Sequence, residues 1–226
     1  MSIATRNLTK IFLRGQANEV TAVDDVNISI QGGDFVAVTG PSGSGKSTLL
    51  NLLGLLTYPT NGDVMYGEQP VTQYSDGRRT SVRRDMVGFI FQQYNLLPYL
   101  SAWENAALPL ICRGVSSGEM RRRAIEVLSR LGMEGRVDFR VAHLSGGEQQ
   151  RVAIARALIA KPKIVIADEP TASVDEANAK LIIDIFKDLK STGRTIIVST
   201  HDAFLIREAT RRLYMAAGKL KEADND

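Results

Sequence analysis

Apolar residues fall along this chain in two alternating kinds of run. "DFVAVTG" (34–40), "MVGFIFQ" (86–92), "KIVIADEP" (163–170) and "RTIIVST" (194–200) are short and almost continuously apolar, as strands buried on both faces are. Between them the apolar positions recur at helical spacing, so the order of elements predicts an α/β layered fold around a mostly parallel sheet. The opening differs. "EVTAVDDVNISIQGG" alternates apolar and polar residues up to Gly32 and Gly33, which predicts a small antiparallel β lobe packed on the α/β core. From Gln92 to Lys161 the strand patterns vanish, and "SAWENAALPLICRG", "SGEMRRRAIEVLSRLG" and "SGGEQQRVAIARALIA" all favour helix, with a start at Ser117 and a stop at Gly132. A helical lobe inserted into the core is expected there. No repeat, low-complexity tract or long linker divides the chain, and the end "KEADND" reads as loose.

Composition narrows the class. The 226 residues are 44% hydrophobic and 23% charged, enough for one large globular domain. No apolar run approaches the roughly 18–20 residues of a membrane span, and "MSIATRNLTK" lacks the hydrophobic segment of a secretory signal, so a soluble cytoplasmic protein is expected. Cys112 is the only cysteine, which excludes an internal disulfide, and no Cys/His cluster suggests structural zinc. The net charge of +3 rests partly on "RR" at 78–79, "RR" at 83–84 and "RRR" at 121–123, read as solvated helix faces. With aromatics at 6%, charge and stacking surface are too sparse for a nucleic-acid groove, and no nucleic-acid partner is expected.

Three stretches carry chemistry. "GPSGSGKST" runs through Gly40, Pro41, Ser42, Gly43, Ser44, Gly45, Lys46, Ser47 and Thr48, directly after one strand and before the helical "KSTLLNLLGLL". Glycines 40, 43 and 45 let the backbone curl so that its N–H groups face inward, and the following helix points its positive end at the same spot. Lys46 then reaches the β and γ phosphates of a nucleotide, and the Ser47 hydroxyl holds Mg²⁺. "KIVIADEP" delivers Asp168 and Glu169 at the carboxyl end of a buried strand, where open α/β sheets bind ligands. Asp168 suits the surroundings of Mg²⁺, and Glu169 suits a base that polarises an attacking water; a plain strand-to-turn exit is the other reading of Asp-Glu-Pro. In "LSGGEQQR", Ser145 and Glu148 form a capping box for the helix that follows. The cap leaves Gly146 and Gly147 unexplained. Each weakens helix initiation by roughly 0.5–1 kcal/mol, yet together they bare backbone N–H groups to which an anion such as a γ-phosphate can dock.

"LSGGEQQR" resembles the signature of ATP-binding cassette (ABC) ATPases, and phosphate loop, glutamine loop, signature, acidic strand, D-loop and switch histidine follow in family order over essentially the whole chain. The resemblance implies a P-loop NTPase with a RecA-like core, an N-terminal antiparallel β lobe and an inserted helical lobe. The chain would be one domain, 1–226, with 1–92 and 162–226 forming β lobe and core and 93–161 the helical lobe. It implies ATP and Mg²⁺ as ligands, and a head-to-tail homodimer in which Lys46 of one chain and Ser145 of the other hold the same ATP. Phe12 matches the aromatic that stacks on adenine, or is a core residue of the β lobe. Gln92 matches the glutamine that touches Mg²⁺ and the attacking water, with Gln93 adjacent. Asp175 matches the D-loop aspartate, although Ser173 and Val174 depart from the usual wording, and His201 matches the γ-phosphate histidine. "FIFQQYNLLPYLSAWENAALPL" is similar to the MacB/LolD/FtsE-like group. That likeness implies an ATPase subunit on the cytoplasmic face of the cell membrane, driving an integral membrane permease for export, lipoprotein release or mechanotransmission. A non-transporting, FtsE-like regulatory cassette is the alternative. No N-K-x-D motif reads guanine, and the chain is too short for the long coiled coil of DNA-repair relatives.

Overall fold

A computed structural model describes residues 1–172 and 174–223. Ser173 therefore lies outside the described residues, as do the last three residues of the tail read as loose. The chain begins with an antiparallel sheet. β1 (Ile3–Phe12) pairs with β2 (Val20–Val26), β3 (Ser29–Ile30) and β5 (Asn61–Tyr66), and β6 (Gln69–Pro70) extends the β5 edge. The second sheet has six strands in the order β11-β10-β4-β9-β8-β7. These are β4 (Phe35–Thr39), β7 (Val87–Ile90), β8 (Ile164–Asp168), β9 (Thr195–Ser199), β10 (Arg211–Ala216) and β11 (Lys219–Glu222). All its ladders are parallel except the β10–β11 hairpin.

The continuous apolar runs are explained by two cores, one on each face of this sheet. Phe35 and Ala37 of β4, Val165 and Ala167 of β8, and Ile196 and Val198 of β9 enter one core. Their neighbours Val36, Val38, Ile164, Ile166 and Ile197 enter the other. Side chains alternate across a strand, so a strand covered on both sides must be apolar at every position. The first core is closed by α3 (Ala102–Ile111), α4 (Ser117–Arg130), α5 (Gly146–Leu158), α6 (Glu176–Ser191) and α7 (Ala203–Glu208). The second is closed by α1 (Lys46–Leu53) and the antiparallel sheet, so the β lobe packs on the core through the helix that follows the phosphate loop.

Helix α4 starts at Ser117 as expected, capped by Ser116, whose backbone is extended. One local expectation is corrected, because the basic groups divide. Arg121, Arg122 and Arg130 project from α4 into ion pairs with Asp138, Glu119 and Glu126, as solvated residues do. Arg79, on α2 (Asp76–Met86), is instead only 3% exposed. It donates to the carbonyls of Leu55 and Thr57, and its guanidinium lies 3.5 Å from the centre of the Tyr58 ring. Leu55 has a left-handed φ of 59° at the exit of α1, where carbonyls have lost their helical partners. A planar, multiply donating cation satisfies them, so this arginine is drawn inward.

Candidate nucleotide site

Two of the three chemical stretches, the phosphate loop and the acidic strand end, meet in one cleft. The cleft, of about 730 Å³, is lined by residues 42–48 of the loop between β4 and α1, by Gln92, Asp168, Glu169, Thr171 and Ala172, and by His201 and Asp202. Its remaining walls are Val20, Thr21 and Ala22 of β2, with Ala217 and Gly218 from the β10–β11 turn. The loop needs glycine at two positions for reasons of space. A Cβ on Gly40 (φ 137°) would lie 2.0 Å from the Met215 carbonyl oxygen, and one on Gly45 (φ 107°) 2.0 Å from that of Ala22. The phosphate loop is therefore wedged between strands of both sheets.

Lys46 is buried at the first position of α1, and its Nζ donates to the carbonyls of Gly40 and Pro41 at 2.7 and 3.1 Å. It stands 3.4 Å from His201 Nε2, which in turn is 3.4 Å from Glu169 Oε1. Loop ammonium, imidazole and carboxylate thus form one continuous chain across the cleft. Glu169 is held in a left-handed conformation, φ 47°, by its N–H, which donates to the carbonyl and the hydroxyl of Ser199 at 3.0 and 3.1 Å. The same hydroxyl donates to Asp168. A non-glycine residue in this conformation carries backbone strain, a feature that clusters at functional sites.

Ser47, Asp168 and Gln92 share the cleft as hydroxyl, carboxylate and amide oxygen donors. One carboxylate with neutral oxygens suits Mg²⁺, which keeps several waters and takes its other ligands from phosphate. Among the described residues no group of three or more His, Cys, Asp or Glu gathers as an all-protein metal cage. Gln92 lines both this cleft and a neighbouring hollow, whereas Gln93 lines only the hollow.

Other expected residues lie elsewhere. Phe12 ends β1 at 43% exposure, opposite Val20, which lines the cleft; it belongs to neither core, since the sheet offers no cover at that end. Asp175 caps α6, its Oδ1 accepting from Asn178 N–H at 2.9 Å. Residues 145–148 stand outside the cleft of their own chain. Ser145 and Gly146 are exposed, and the capping box is formed, Glu148 accepting from Ser145 N–H at 2.8 Å. That bond, with Arg136 at 3.0 Å, holds the Glu148 carboxyl below its usual range. Sequence reasoning overlooked Ser199 and Asp202, since a serine ending an apolar strand and an aspartate after a histidine carry no distinguishing pattern.

Fold and cleft together define a nucleotide-binding cassette. Residues 23–172 match the ABC transporter family model. The chain is 39% identical over 218 residues to the ABC transporter ATP-binding protein YvrO of Bacillus subtilis, covering 96% of this chain and 95% of that one. It is 41% identical over 218 residues to the macrolide export ATP-binding/permease protein MacB of Hyphomonas neptunium, covering 96% of this chain but 34% of that longer protein. Its fold superposes with a TM-score of 0.91, at 39% identity and over 99% of this chain and 100% of the other, on the dimeric post-hydrolysis structure of the cassette MJ0796 of Methanocaldococcus jannaschii bound to ADP and Pi. The chain belongs to the ABC transporter family, as an ATP-binding cassette that hydrolyses ATP.

Proposed function

We propose that this cassette works as a head-to-tail homodimer that converts ATP hydrolysis into movement of an integral membrane partner, from the cytoplasmic face of the cell membrane. The observation that carries this reading is the separation, within one chain, of a nucleotide cleft from an outward-facing serine-glycine turn. The cleft contains the phosphate loop, the acidic pair and His201, while Ser145 and Gly146 face outward with an anion-receptive turn. The dimeric MJ0796 structure supports the pairing, and MacB, which joins ATP-binding and permease functions in one protein, supports the membrane partner.

In this reading Lys46 exchanges the carbonyls of Gly40 and Pro41 for the β and γ phosphates. Phe12 supports adenine from the mouth of the cleft. Ser47, Asp168 and Gln92 hold Mg²⁺, which when bound neutralises phosphate charge. Glu169 accepts a proton from water as its oxygen bonds to the γ-phosphorus and the bond to the ADP oxygen breaks. His201, beside both Glu169 and Lys46, contacts the terminal phosphate. The segment 93–161 then acts as the lobe that transmits closure to the membrane partner. A phosphate gripped by two chains closes the dimer, and its release reopens it, because only the triphosphate distinguishes the two states. Glu169→Gln is expected to lower turnover by about 10²- to 10⁴-fold while ATP still binds. Steady-state hydrolysis with equilibrium nucleotide binding tests this, and ordinary turnover in the variant removes Glu169 from the role.

A further inference from the structure

The first turns of α5 and α6 meet through one side chain. Asn178 is the third residue of α6, where an ordinary capping box carries Glu or Gln reaching back to the cap backbone. Asn178 is one carbon shorter, and its amide is used sideways. Nδ2 donates to Asp175 Oδ2 at 2.8 Å, and Oδ1 accepts from the Arg151 guanidinium of α5. The amide also lies flat on Gly147, where a Cβ would stand 2.5 Å from Nδ2 and 2.6 Å from Cγ. Gly147 is buried, so glycine at 147 and a carboxamide at 178 are two halves of one fit. A second tie runs beside it, as Gln150 Nε2 donates to the carbonyl of Pro170, next to Glu169, at 2.7 Å. The signature helix is thereby fastened both to the turn bearing the acidic pair and to the D-loop cap.

We propose that Asn178 is a positioning residue that makes the signature turn and Asp175 move as one piece, so that a phosphate held by Ser145 for the partner chain also sets the D-loop of its own chain. This rests on the reading that two copies share each ATP. The amide cannot turn away without giving up hydrogen bonds to two charged groups, which is what makes the junction stiff.

The test uses the full chain with and without Glu169→Gln. In the Glu169→Gln parent, ATP with Mg²⁺ is expected to produce dimers detectable by analytical ultracentrifugation. Adding Asn178→Ala is expected to raise the ATP concentration for half-maximal dimer by about 10-fold, the size of one lost hydrogen bond to a charged group. Binding of a fluorescent ATP analogue to dilute monomer stays as in the parent, and the thermal midpoint falls by no more than a few degrees. With Glu169 intact, kcat falls about 10-fold with little change in KM, the mark of an interaction made beyond simple substrate binding, and the cooperativity of hydrolysis in ATP declines. Asp175→Asn, which keeps the Oδ1 cap on the residue-178 N–H but loses the carboxylate oxygen that accepts from Asn178 Nδ2, adds little when placed on Asn178→Ala, because both remove the same link. Unchanged dimerisation and kcat overturn the proposal, as do additive single effects or a joint loss of monomer binding and thermal midpoint, which marks a merely structural residue. Should Asn178→Ala not fold, Asn178→Asp is read by the same criteria, since it still accepts from Arg151 but sets a second carboxylate against Asp175. A parent that forms no ATP-dependent dimer overturns the shared-ATP reading and this proposal with it; a parent dimer indifferent to Asn178 overturns this proposal alone.

Discussion

Helices α3 and α5 open with the same cap and put it to different ends. In α3, Glu104 N–H donates to Ser101 Oγ at 3.3 Å and Ser101 N–H to Glu104 at 2.8 Å; in α5, Ser145 and Glu148 repeat both distances. The next two residues differ. Ala102 and Trp103 of α3 donate their N–H groups to the carbonyls of Phe139 and Val137 at 2.9 and 3.0 Å, and Ser101 is buried. Gly146 and Gly147 of α5 find no partner for theirs among the described residues, and Ser145 is exposed. One helix start is closed by its own chain, while the other keeps the donors an anion needs. A capping box is thus generic; its use depends on whether the N–H groups behind it are already spent.

The sharpest test of that contrast is hydrolysis. Ser145→Ala is expected to lower turnover about 10²- to 10³-fold, as loss of one preorganised donor to developing charge does, whereas Ser101→Ala leaves turnover per folded molecule unchanged. Equal losses in steady-state assays would erase the distinction. In stability the order reverses. Ser101→Ala should cost about 1 kcal/mol and lower Tm by about 2–4 °C, because a buried cap loses its acceptor, and the exposed Ser145→Ala should cost less by calorimetry. Ala102→Gly, which gives α3 the first residue of α5, should cost roughly 0.5–1 kcal/mol through backbone entropy without creating an anion site; denaturant titration with and without phosphate checks both halves.

The smallest effect is in pH. Bonds from Ser101 and Ser145 hold the carboxyls of Glu104 and Glu148 below their usual range. A depressed carboxyl contributes stability that is fully present above the unfolded value, about 4.3, and is lost as pH falls through the folded value. The stability gap between wild type and Glu148→Gln, followed by denaturation at stepped pH, should therefore close on acidification and stay constant from pH 6 upward. A gap that widens toward low pH would contradict the capping geometry.

Much of this architecture could be read in advance because its causes are local. Continuous apolar runs announce strands covered on both sides, and the spacing of Gly40, Gly45, Lys46 and Ser47 between strand and helix announces a phosphate loop. Arg79 could not be read in this way. Its charge resembles that of Arg78 in every sequence measure, yet the bare carbonyls after α1 bury Arg79, with Arg83 also donating to Leu55, and leave Arg78 outside. The resemblance pointed to Gln92 with Gln93 adjacent, and the turn after β7 brings Gln92 to the cleft wall.

The amino-acid order alone determined which segments become strand or helix, where the phosphate-binding turn and the acidic pair sit, and which serine caps the signature helix, because periodicity, glycine spacing and caps act within a few residues of one another. Tertiary structure decided that Lys46, His201 and Glu169 stand in line, that Ser199 braces both acidic residues, and that Asn178 lies between Gly147, Arg151 and Asp175. Those relations join residues far apart in the chain through distances of 2 to 4 Å, and such distances exist only once the sheets and helices have packed.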